Sequence, residues 1–200
     1  MCPKEEGRDL LEEVVAEIRK DFSNVSMFEE KLQDFLEAYE KKFPHDRSGE
    51  RGAADAFFFA LFSHVVCMSS MGYASQGLVE MHAILESYSR RQIVGHISSA
   101  KGRKIVGSLV DRQSLDSMAH SLRELGVLTD EDVKLTSRLT QFRNGLAHRN
   151  DKPIRELMHL SKDVHSLDVW HAASKVDWIP YQLGSIRYMI NLSNSSGGAK

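Results

Sequence analysis

An arginine, an asparagine and a histidine fall close together in the stretch RNGLAHRN, residues 143–150. Arg143 offers a planar fork of donors that matches phosphate oxygens and never loses its charge. His148 titrates near neutrality and can give or take a proton. Asn144 can orient an imidazole or donate to a phosphoryl oxygen. RNA cleavage needs little more: a base for the 2′-hydroxyl proton, an acid for the leaving oxygen, and cations for the charge on the crowded phosphorus. The same residues also suit the end of a helix, where cations meet the negative pole and Asn and Gly terminate the chain's turn.

The spacing sets a geometric condition. Five residues turn an ideal helix by about 500°, so Arg143 and His148 diverge by about 140°. They converge if the helix bends or ends between them, which Gly145 permits. The alternative is convergence across a two-fold axis with a second copy of the chain.

The surrounding elements read as helices almost throughout. Leu135, Leu139, Phe142 and Leu146 repeat on one face of the helix that carries the motif. Thr129 followed by Asp130, Glu131 and Asp132 is a strong start for it. Before it, Leu115, Met118, Leu122 and Leu125 mark a helix closed by Gly126. Residues 96–108, HISSAKGRKIVGS, read as a connection or a helix end, and Leu78, Met81, Ile84, Leu85 and Tyr88 as a further helix face. The apolar run at 53–71 reads as a central buried helix, with His64 as a hydrogen-bonded core histidine and Cys67 as a small hydrophobe. After the motif, Pro153 opens a helix with Leu157, Leu160, Val164 and Leu167 on one face, and a last helix spans Tyr181 to Leu192.

The expected fold is therefore all-α, an antiparallel helical bundle over residues 51–192. An acidic helical segment, residues 1–50, precedes it with apolar faces at Leu10–Ile18 and Phe28–Tyr39, a loop at 43–52 follows them, and a polar disordered tail occupies 193–200. Residues 1–42 hold 12 acids and 7 bases, an excess suited to a basic partner or to covering a cleft. The formal net charge of −2 over 200 residues advertises no global field for nucleic acid. No apolar run approaches a bilayer span, the start MCPKEEGRDL has no apolar signal segment, and two cysteines make no disulfide framework, so the cytoplasm is the expected location.

Arg-Asn-x-x-x-His near the end of a late helix, with the approach LGVLTDEDVKLTSRLTQF before it, resembles the HEPN superfamily. The resemblance covers about residues 51–191. It implies a HEPN-like homodimer whose two motifs line a shared cleft, with Arg143, Asn144 and His148 as the catalytic set. It further implies RNA binding and, as in many members, metal-independent endoribonuclease activity of toxin–antitoxin, defence or RNA-processing type, with an antitoxin or regulatory protein as partner. Other members bind without cutting, so the alternative is a non-catalytic dimerisation, partner-binding or nucleotide-binding module. One subgroup has a modifiable tyrosine two residues after the histidine; this chain has Asn150 there.

Secondary contacts to RNA are expected from Arg149 and from the basic stretch Arg90, Arg91, Lys101, Arg103, Lys104 and Arg112, with Tyr88 nearby for stacking. His159 with Asp163, and Asp168 with His171, have the spacing of shared helix faces, but no HExxH or cysteine companion accompanies them, and no metal or cofactor is expected.

Overall fold

The computed structural model describes residues 26–42, 53–95 and 100–195. The helix face expected at Leu10–Ile18, the loop 43–52 and residues 196–200 lie outside them. The described residues form nine helices and no strand: α1 (Ser26–Lys42), α2 (Ala53–Ser70), α3 (Ala74–Gly95), α4 (Ala100–Val110), α5 (Leu115–Glu124), α6 (Asp130–Ala147), α7 (Asp151–Leu157), α8 (Ser166–Ser174) and α9 (Ile179–Ser195). The chain is an all-α helical bundle. Among these residues no helix is long and apolar enough to cross a membrane.

α3 is the hub. It packs against α2, α6 and α9. Leu78, Met81, Leu85 and Tyr88 on its inner face are buried against residues of all three neighbours. α2 and α3 are joined by three residues and form an antiparallel hairpin. Buried polar groups fix the register: Ser89 Oγ on α3 and Tyr188 Oη on α9 lie 2.7 Å apart, and burial raises the tyrosine's pKa. α1 joins the same core, with Leu32 and Phe35 both 1% exposed and the Phe35 ring 5.6 Å from that of Trp178.

Four helices end in one way. The residue beyond the cap takes a left-handed conformation, its N–H bonds the carbonyl three residues back, and the next N–H bonds the carbonyl five back. Gly72 and Gly126 do this after α2 and α5 (φ 91° and 74°), as their residue type predicts. Arg149 and His159 do it after α6 and α7 (φ 48° and 53°).

The ending at His159 changes the expected layout. The helix predicted from Pro153 through Leu167 is two helices. α7 stops at Leu157, and Arg155 Nη1 holds the turn that follows through the carbonyls of Ser161 (3.0 Å) and Val164 (2.7 Å). Residues 100–108 of the expected connection or helix end belong to a helix, α4, that runs on to Val110 despite Gly102 and Gly107. The last helix runs on to Ser195, so residues 193–195 are helix rather than tail. Leu125 caps α5 and is 77% exposed rather than part of its inner face.

Candidate functional site

α6 is anchored at its start and exposes Arg143 and His148 near its end. Thr129 accepts from the Asp132 backbone N–H (3.3 Å), while an Asp132 carboxylate oxygen accepts from the Thr129 N–H (3.0 Å) and hydroxyl (2.8 Å). Asp132 is wholly buried and also accepts from Arg187 Nε (2.9 Å) and Asn191 Nδ2 (2.8 Å) on α9. Leu135, Leu139 and Phe142 then lock one face of α6 into the core, as their spacing predicts.

The motif occupies the last turn and the exit. Arg143 is exposed, and its Nη1 donates to Asn144 Oδ1 at 3.0 Å. Asn144 is half-buried and keeps its amide donors. His148 is exposed and forms the cap (φ −98°, ψ 6°), its N–H donating to the Asn144 carbonyl at 3.1 Å. Arg149 is exposed in the left-handed position just beyond. Asn150 then starts α7, its side chain accepting from the Lys152 N–H at 3.1 Å.

Gly145 does not end the helix. α6 continues through Ala147, and Gly145 is buried where α7 crosses: an added Cβ would lie 2.8 Å from Ile154 Cγ1 and 3.1 Å from the Asn150 carbonyl oxygen. Within one chain the helix therefore keeps Arg143 and His148 about 140° apart.

A polar seam between α3 and α6 reaches the motif, and the sequence reading missed it. His82 is buried, with Nε2 3.3 Å from Thr140 Oγ1 and Nδ1 3.9 Å from Glu86 Oε2. Glu86 Oε1 accepts from Arg90 Nη2 at 2.7 Å, and that nitrogen also donates to the Gln113 carbonyl at 3.2 Å. Burial lowers the His82 pKa, Glu86 opposes the shift, and the charges of Arg143 and Arg90 add to it. The neutral imidazole is thus the favoured form beside Arg143. The spacing 82, 86, 90 could have marked a polar face of α3, but nothing in it names α6 as the partner.

Other expected residues fall as follows. Arg90 is held by Glu86, whereas Arg91, Arg103, Lys104 and Arg112 are exposed. Tyr88 cannot stack on a base: it is 1% exposed and stands edge-on to Phe58 at 4.9 Å. His64 is exposed rather than a core residue. Cys67 is buried, which pushes its thiol up to about 11. His159 and Asp163 share no helix, because α7 ends before either; Asp168 and His171 do share α8. Among the described residues no group of three or more His, Cys, Asp or Glu is placed to hold a metal ion.

No family model matches the chain, and no curated protein or solved structure does.

Proposed function

We propose that the chain is a HEPN-like RNA-binding protein that acts as a homodimer and cleaves RNA without metal at the exposed end of α6. One observation carries this reading: Arg143 is exposed and bound by an amide rather than an acid. Arg90, Arg123, Arg155 and Arg187 each bind a carboxylate. An arginine held in place without loss of its net charge is ready for a phosphate.

Because α6 runs on as helix through Gly145, the reading assigns convergence to a second copy, with Arg143 of one chain facing His148 of the other. One His148 takes the 2′-hydroxyl proton and the 2′-oxygen attacks phosphorus. The 5′-oxygen leaves with a proton from the other His148, giving a 2′,3′-cyclic phosphate and a 5′-hydroxyl. Arg143 stabilises the phosphoryl charge, and Asn144 holds the guanidinium.

The test is RNA cleavage by the purified protein in EDTA. Cyclic-phosphate product, lost in His148→Ala and in Arg143→Ala, is expected. Mixing the two inactive variants should restore no activity, since a mixed dimer holds one His148 and the reaction uses two. Cleavage that survives His148→Ala sinks the enzyme reading. RNA binding without cleavage leaves the non-catalytic module.

A further inference from the structure

A second cationic site lies on the far side of α6. Lys134 and Arg138 are four residues apart and share a face. Lys134 and Arg143 are nine apart, about 180° around the helix, so this face points away from the motif. There a cleft of about 220 Å³ opens between the end of α1, the middle of α6 and the start of α9. Lys42 lines it, as do Pro180 and Tyr181 in the first turn of α9. Leu135 and Gly184 line its apolar part.

The charges are unbalanced. Glu131 and Arg187 line the cleft as well and bind each other, with Arg187 also bound by Asp132, so that pair leaves the other three cations in excess. Lys42, Lys134 and Arg138 are exposed, and none of the three has a carboxylate partner among the described residues. Arg138 sits close enough to Tyr181 for its charge to oppose the rise that burial imposes on the phenol. The positive end of the α9 dipole adds to the same field. Three cations from two helices around a cleft call for several closely spaced negative charges. A lone carboxylate would leave two of them uncompensated, whereas consecutive phosphates match both the count and the guanidinium fork. The volume is below the roughly 300–1,000 Å³ of sites that enclose drug-sized ligands, so the occupant is compact or enters by one end.

We infer that this cleft binds a polyphosphate group, either free or as the tail of a nucleotide, with Lys42, Lys134 and Arg138 as its ligands and Tyr181 as its wall. The site is independent of the RNA-cleaving reading, since it shares no side chain with Arg143 or His148.

Titration calorimetry with tripolyphosphate, ATP and sulfate at matched ionic strength tests it. Tripolyphosphate should bind much more tightly than sulfate. Lys134→Gln and Arg138→Gln should each weaken it about tenfold, the worth of one charged hydrogen bond. Both positions are exposed, and an unchanged helical spectrum and unfolding midpoint would confirm intact variants. ATP binding more tightly than tripolyphosphate identifies a nucleotide as the source; equal affinity identifies the phosphate chain alone. Affinity no better than sulfate's, indifference to both substitutions, or loss with Arg143→Ala instead would each overturn the assignment.

Discussion

Gly145→Ala gives the most direct test of how the motif is built. In an exposed helix interior this change stabilises by about 1 kcal/mol, because alanine loses less backbone freedom. Here the new methyl would meet Ile154 Cγ1 at 2.8 Å and the Asn150 carbonyl oxygen at 3.1 Å. Favourable carbon contacts begin near 3.5 Å, so Ile154 must retreat by about 0.7 Å. Ile154 is wholly buried and cannot swing into solvent. Overpacking of this kind costs about 1–3 kcal/mol, which cancels or outweighs the gain in propensity and leaves a net loss of up to about 2 kcal/mol. Gly107 supplies the control. It lies inside α4, and a Cβ added there would meet nothing within 4 Å, so Gly107→Ala should stabilise by up to about 1 kcal/mol. Equilibrium urea unfolding of both variants reads the two signs. If Gly145→Ala were as stabilising as Gly107→Ala, α7 could not cross α6 at this residue, and the account of the helix end would be wrong.

Removing the buried carboxylate with Asp132→Ala strips four hydrogen bonds, leaving Arg187 with Glu131 alone and Asn191 without its acceptor, so a loss of about 3 kcal/mol is expected; less than 1 kcal/mol in chemical denaturation would contradict the role assigned to that cluster. His82 has a lowered pKa in the folded chain, so below about pH 6.5 the unfolded chain binds the extra proton and stability falls as pH falls toward the folded value. His82→Gln should flatten that part of the stability–pH curve, and an unaltered slope between the two proteins would refute the assignment. Arg149→Gly should raise stability by up to about 1 kcal/mol, since glycine adopts the left-handed conformation without strain; a lower midpoint would argue against φ 48° at this position.

How much of this could be read from residue order depends on the physical range of each interaction. The start of α6 is local: Thr129 and Asp132 are three apart, and Leu135, Leu139 and Phe142 carry its core face. The end of α5 at Gly126 is equally local. The end of α7 was hidden because His159 occupies a position that usually belongs to glycine, and Arg155 supplies the stabilising contacts to the turn that follows. Tyr88 was misplaced for a related reason: the basic residues after it suggest a surface, but its own position on α3 faces Phe58. The His82–Thr140 contact joins residues 58 apart, and no pattern along either helix could announce it.

Within RNGLAHRN most groups have a structural duty. Phe142, just before it, fills the core, Gly145 admits α7, the backbone of Arg149 turns the chain, and Asn150 caps the next helix. The side chains of Arg143 and His148 do none of this: both are exposed, and Arg143 is bonded only to its neighbour Asn144. Arg143→Ala and His148→Ala should therefore leave the unfolding free energy within about 0.5 kcal/mol of the parent, as for surface changes that break no packing. That neutrality makes any accompanying loss of RNA binding or cleavage attributable to the side chains themselves. A destabilisation of about 2 kcal/mol or more, on the order of a lost core contact, would instead place both residues in the fold's own support and remove the reason for assigning them to RNA.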